Sequence, residues 1–188
     1  KISNLNSKSP KLLKRRIKKI MYVPKPFFGE EARARSAPAE IQYFDWQCRL
    51  LGFLSSANIE IIYKPHPGGK SWPCKDFALS FGAKEINEPF EQVKEQVDAY
   101  IIDFITSTTT HQILNSDIPV IFINLKSPDI SEDVKTSLNE RSYVLDSFID
   151  DRNRFRIDNN ELSSILNKNE HTFSYDFCNT FYDNTISK

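Results

Sequence analysis

Four short runs along the chain are apolar at nearly every position: KIMYVP (Lys19 to Pro24), IEIIYK (Ile59 to Lys64), AYIID (Ala99 to Asp103) and PVIFIN (Pro119 to Asn124). A strand with one face in water alternates apolar and polar residues, whereas a run without alternation needs cover on both faces. The segments between the runs supply that cover. AEIQYFDWQCRLLGFLSS sets Ile41, Phe44, Cys48, Leu51 and Leu54 at helical spacing. KDFALSFG predicts a short helix closed by Gly82, and PFEQVKEQV and TTHQILNS predict two more helices. KEIN adds a short third strand. Strands alternating with helices predict an α/β fold, a Rossmann-like parallel sheet with helices on both faces. Beyond Asn124 the pattern weakens. SPDISEDVKTSLNERSYVLDSF offers one helix and one short strand, and NNELSSILN a further helix. In the aromatic tail, Phe173, Tyr175, Phe177, Phe181 and Tyr182 are expected to anchor on the core.

A chain of 188 residues suits one domain. With 39% hydrophobic and 27% charged residues it can bury a core, which excludes disordered and fibrous classes. No apolar run approaches the roughly 18 residues that a membrane-spanning helix requires. Cys48, Cys74 and Cys178 are odd in number and widely spaced, which suggests neither a disulfide framework nor a zinc site. That cysteine usage fits a reducing compartment, so a cytoplasmic location is expected; the opening KISNLNSKSP is polar rather than charged and then apolar. The chain begins without Met and reads as a piece of a longer protein.

Charge is zero in total but unevenly spread: residues 1 to 19 hold eight Lys or Arg and no acid, leaving the remainder net negative by eight. Residues 1–18 are therefore taken as a basic linker or N-terminal helix, and 19–188 as the Rossmann-like domain with a C-terminal helical tail. The cluster from Lys11 to Lys19 could rest on an anionic membrane surface at its inner face. Nucleic acid is not an expected partner, because no aromatic or zinc-finger pattern accompanies the charge.

Ligands of open parallel sheets sit outside the carboxyl ends of the strands, and two strand ends here are chemically loaded. IEIIYK runs into KPHPGGKS, where Pro65 and Pro67 enclose His66. Proline fixes φ and removes a backbone donor, so the pair holds the histidine in one direction. Alone this could be a rigid turn. After AYIID, Ser107, Thr108, Thr109 and Thr110 stand in a row where a helix should begin. One hydroxyl suffices to cap a helix, and four beside the free N–H groups of a helix start make a phosphate site. Lys64 and His66 would face that site from the same sheet edge. Neither a Walker loop nor GxGxxG is present, and no metal-ligand spacing links His66, His111 and His171, so no metal is expected. His111 and His171 are taken as structural.

KPHP, followed some forty residues later by AYIIDFITSTTTHQILNSDIPVIFIN, resembles the C-terminal, donor-binding half of GT-B fold transferases of surface polysaccharides. These families include sialyl- and polysialyltransferases, Kdo transferases and the CDP-glycerol and CDP-ribitol transferases. The resemblance covers about residues 18 to 125. It implies that His66-Pro67 and the hydroxyl motif after the strand ending in Asp103 contact a cytidine nucleotide and its phosphates. On that basis Lys64, His66, Ser107, Thr108 and Thr109 are the donor and phosphate ligands. Asp103, Thr110, Arg33 and Arg35 are further candidate contacts, the two arginines standing where these families carry Thr and Arg after the first strand; position alone, in the loop after the third strand, adds Asn87 and Glu88 as a cradle for base and ribose.

The implied function is binding of a CMP- or CDP-linked donor for a glycosyltransferase or polyol-phosphate transferase, with a glycan or lipid-linked acceptor. His66 is the candidate catalytic residue, stabilising charge on the leaving phosphate together with Lys64 and the helix start. The donor is a substrate, and no cofactor is implied. The general base for the acceptor hydroxyl is expected from an N-terminal domain outside these residues, so little turnover is expected from this chain alone. A nucleotide-sugar epimerase of the same fold and a non-catalytic α/β interaction module are the alternatives.

Overall fold

The computed structural model describes residues 10–27, 39–67, 76–94, 96–125 and 130–174. Its centre is a six-stranded sheet built from β2 (Lys19–Val23), β3 (Glu60–Tyr63), β4 (Lys84–Glu85), β5 (Ala99–Ile102), β6 (Val120–Asn124) and β7 (Tyr143–Asp146). The order across the sheet is β4-β3-β2-β5-β6-β7, and every pairing is parallel. The chain thus starts in the middle, winds outward to β4, returns beside β2 and winds outward again to β7. The α/β, Rossmann-like architecture expected from the apolar runs is present.

Both sheet faces are covered, which accounts for the unbroken apolar strands. In β2, Ile20 and Tyr22 point into one core with Ile61, Tyr63, Ile101 and Ile121, while Met21 points into a second core with Ile62, Tyr100, Ile102 and Phe122. The first core is closed by α1 (Glu40–Ser56) and α5 (Asn159–Leu166). The second is closed by α2 (Phe90–Val93), α3 (Thr108–Leu114) and α4 (Glu132–Arg141). Phe77–Phe81 forms a 3-10 turn rather than an α-helix, and Gly82 ends it at φ 75°, where a Cβ is strained. α2 is also shorter than the apolar spacing suggests. The Tyr100 hydroxyl donates to the Lys94 carbonyl just past the last turn, after which the chain turns into β5.

The buried stripe of α1 differs from the expected one. Tyr43, Trp46, Gln47, Leu50, Leu51 and Leu54 are buried, whereas Ile41 is 64% exposed and Phe44 and Cys48 are only half-covered. The stripe is rotated because the Tyr43 hydroxyl and the Gln47 side-chain oxygen meet partners inside: Tyr43 donates to Asp103 and Gln47 Oε1 accepts from Tyr63. A buried polar atom with a partner no longer opposes burial.

Of the segment 1–18, expected as a linker or helix, residues 1–9 lie outside the described residues. Lys11–Lys14 is a strand, β1, paired antiparallel with β10 (Glu170–Phe173). Its cations are engaged within the fold: Lys11 with Asp117 at 2.5 Å, Lys14 with Glu170 at 3.6 Å, and Arg15 donating to the Val97 carbonyl at 3.0 Å. A small hairpin, β8 (Phe148–Ile149) and β9 (Phe155–Arg156), follows β7. Of the aromatic tail, Phe173 is buried; Tyr175, Phe177, Phe181 and Tyr182 lie outside the described residues. No described helix is long and apolar enough to cross a membrane.

Candidate functional site

The strand order reverses between β2 and β5, so the carboxyl ends of these two strands and of β3 border the crevice where such sheets hold ligands. Three chain segments meet there.

The floor is built from Asp103, the residue after β5. Its carboxylate accepts from the Tyr22 hydroxyl (2.6 Å), the Tyr43 hydroxyl (3.0 Å) and the Lys25 backbone N–H (2.9 Å). Burial pushes its carboxyl above the ordinary value, against the opposing pull of these donors. Asp103 is 5% exposed and lies under the crevice, so its position is that of a brace between β2, β5 and α1. The same bonds clamp Lys25, whose carbonyl also accepts from Tyr43 at 3.2 Å.

The β3 side is Lys64 to Pro67. The Lys64 N–H extends the ladder by donating to the Tyr22 carbonyl, and the two prolines then end pairing. Lys64 is buried and His66 half-buried. Burial pushes the Lys64 ammonium down, against the pull of Glu88 and Glu91. Burial and then the Lys64 charge push the His66 imidazolium down, so the ring is neutral at pH 7.

On the β5 side, Ser107 caps α3. Its Oγ accepts from the Thr110 N–H at 3.0 Å and lies 2.9 Å from Thr110 Oγ1, which in turn donates to the Phe104 carbonyl at 2.7 Å. Two of the four hydroxyls are therefore engaged in building the turn. Thr108 is exposed and does not line the crevice, which leaves Thr109 as the hydroxyl facing it without an internal bond among the described residues.

Together these segments enclose a cleft of about 330 Å³. Lys64, His66, Asn87, Ser107, Thr109 and Thr110 line it. Glu88 is exposed outside the lining and acts on Lys64 through its charge. Arg33 and Arg35 lie outside the described residues. Two features were not singled out from sequence. Glu91 lines the cleft and accepts from Gln112 at 2.8 Å, placing a negative charge near Lys64. Lys25 sits between Pro24 and Pro26 with its Nζ 5.9 Å from the Phe104 ring centre; that proline enclosure repeats the one around His66 and was a visible signal.

The other histidines sit elsewhere. His111 is on α3 beside Asn115, and His171 is buried between the Arg15 carbonyl and the Tyr143 hydroxyl. Among the described residues no group of three His, Cys, Asp or Glu is placed to hold a metal ion. The arrangement offers an ammonium, an imidazole able to gain a proton, an amide and a hydroxyl around a small cavity, a set suited to an anionic oxygen-rich ligand. No protein-family model, no curated protein and no solved structure matches the chain.

Proposed function

We propose that the cleft holds the phosphate-bearing part of a CMP- or CDP-linked sugar donor, and that the chain is the donor-binding domain of a glycosyltransferase or polyol-phosphate transferase of surface-polysaccharide synthesis. The observation that carries this is the convergence of Lys64 and His66 from one strand end and Thr109 from another on one cleft at the sheet's reversal point. Its volume falls at the low end of the roughly 300–1,000 Å³ common for small-molecule sites, which suits a nucleotide with the transferred group extending outward.

The chemistry asks for stabilisation of charge that builds on the leaving phosphate. Lys64 supplies a fixed positive charge in a partly desolvated setting, where it acts more strongly than in water. His66 is neutral before the anion arrives; a phosphate beside it raises its affinity for a proton, and the imidazolium then donates to a phosphate oxygen. Thr109 and the start of α3 add donors. His66 thereby acts on the leaving group, and a base for the acceptor hydroxyl is a separate requirement.

Isothermal titration of CMP, CDP and UDP tests this. Cytidine nucleotides should bind, and His66→Ala should weaken them roughly 10-fold or more, the loss of one charge-assisted bond of about 1.5–3 kcal/mol. Thr109→Val is the cleaner hydroxyl variant, because Ser107→Ala also removes the cap of α3. A strong UDP preference would overturn the cytidine assignment, and absence of binding by all three would overturn the donor site.

A further inference from the structure

A second opening, larger than the cleft at about 690 Å³, lies where the β8–β9 hairpin runs beside α1 and the start of α5. Four arginines from two chain regions border it: Arg49 on α1, and Arg152, Arg154 and Arg156 on the hairpin. The hairpin is organised by Asp150, whose carboxylate accepts from the Arg152 and Arg154 backbone N–H groups at 3.0 Å each, from Arg154 Nε at 3.1 Å and from Arg156 Nε at 2.8 Å. Desolvation pushes the Asp150 carboxyl up, but these donors together hold it well below the usual carboxylate range. Its acceptor capacity is filled. Arg49 is held in the same way by Asp45, at 2.6 and 3.0 Å.

The consequence is that Arg49, Arg154 and Arg156 are held in place, Arg156 with donors left over. Among the described residues, Arg156 is bound through Nε alone and the Arg152 side chain has no partner. Planar guanidinium forks match carboxylates bidentately, and a pre-oriented fork loses less freedom when it binds. Next to these donors Phe148 stands 56% exposed, and Trp46 and Phe53 continue the apolar wall on α1. Asp151 and Asn159 on the rim offer acceptors for hydroxyl groups. An exposed aromatic face, a fixed fork on Arg156, the exposed Arg152 guanidinium and nearby hydroxyl acceptors are together the requirements of a ring that carries both a carboxylate and hydroxyls.

We propose that this groove binds an acidic oligosaccharide, with Arg152 and Arg156 on its carboxylates and Phe148 under a sugar ring. Its role as a hold on the acceptor rests on the proposed transferase function; the binding itself does not involve the donor cleft. The test is titration of the whole chain with a hexuronic acid tetramer, an oligosialic acid tetramer and neutral maltotetraose. At least one acidic tetramer should bind about 10-fold tighter than maltotetraose. Phe148→Ala and Arg152→Gln, both at exposed positions, should each weaken it by a similar factor and leave CDP affinity unchanged. Equal affinity for the neutral tetramer, no binding of either acidic one, or an equal loss from the remote Lys84→Gln would overturn the groove. Loss of all nucleotide binding with tetramer binding retained would overturn the donor cleft and sustain the groove.

Discussion

Asp103 connects the fold to the cleft, and its removal can be worked through. In Asp103→Ala, the Tyr22 hydroxyl and the Lys25 N–H lose their acceptor inside the protein, while Tyr43 retains the Lys25 carbonyl. Each stranded buried donor costs about 1–3 kcal/mol; releasing the desolvated carboxylate offsets part, leaving about 3 kcal/mol. For a chain of this size that lowers Tm by roughly 6–12 °C. Asp103→Asn keeps the shape and one acceptor and should cost about 1–2 kcal/mol at neutral pH. The pH dependence is the sharper outcome. Burial raises the folded-state pKa of Asp103 above its unfolded value, so its contribution is fully present below the unfolded pKa and declines as pH rises through the folded one. The deficit of Asp103→Asn relative to wild type should therefore shrink between pH 4 and pH 7. Chemical denaturation followed by circular dichroism measures both. An Asp103→Ala protein within 1 kcal/mol of wild type, on the scale of an ordinary surface change, or an asparagine deficit that grows with pH, would refute the brace.

Arg141 is fully buried and donates to the carbonyls of Leu114, Ser116 and Ile118, closing the carboxyl end of α3; Arg141→Met should cost roughly 3–5 kcal/mol, read as a fall in the denaturation midpoint. Burial lowers the pKa of His171, so the unfolded chain binds the extra proton first. Stability should then fall as pH drops below about 6.5, and the part due to this residue should vanish in His171→Gln, measured by thermal unfolding at pH 5 to 8. Lys64→Met should reduce CDP affinity roughly 10-fold and flatten its dependence on salt, measured by titration at two ionic strengths.

The central strands were legible because β2, β3, β5 and β6 are apolar on both sides, a pattern that only a covered sheet explains. β1 was not, since Lys11–Lys14 is charged at both ends and is a strand only because β10 pairs with it. The β8–β9 hairpin depends on one carboxylate, Asp150, binding residues two to six positions later, which no apolar periodicity records. At the site, the strand-end positions of Lys64, His66 and the hydroxyl row followed from the strand pattern. Which hydroxyl at the cleft is left without an internal bond did not: Ser107 and Thr110 are taken up by each other and by Phe104, a matter of cap geometry. Glu91 arrives from the first turn of α2, and nothing in the KPHP or hydroxyl segments announces it.

The most direct measurement of the central claim is the His66 imidazole itself, followed by NMR from pH 5 to 8 with and without CDP. Without ligand its pKa should lie below the ordinary value of about 6.5. With CDP it should move upward, with the His66 ring resonances shifting and those of His111 and His171 unmoved. An unchanged His66 pKa at saturating CDP, or a shift at His111 or His171 in its place, would contradict a phosphate site at the end of β3.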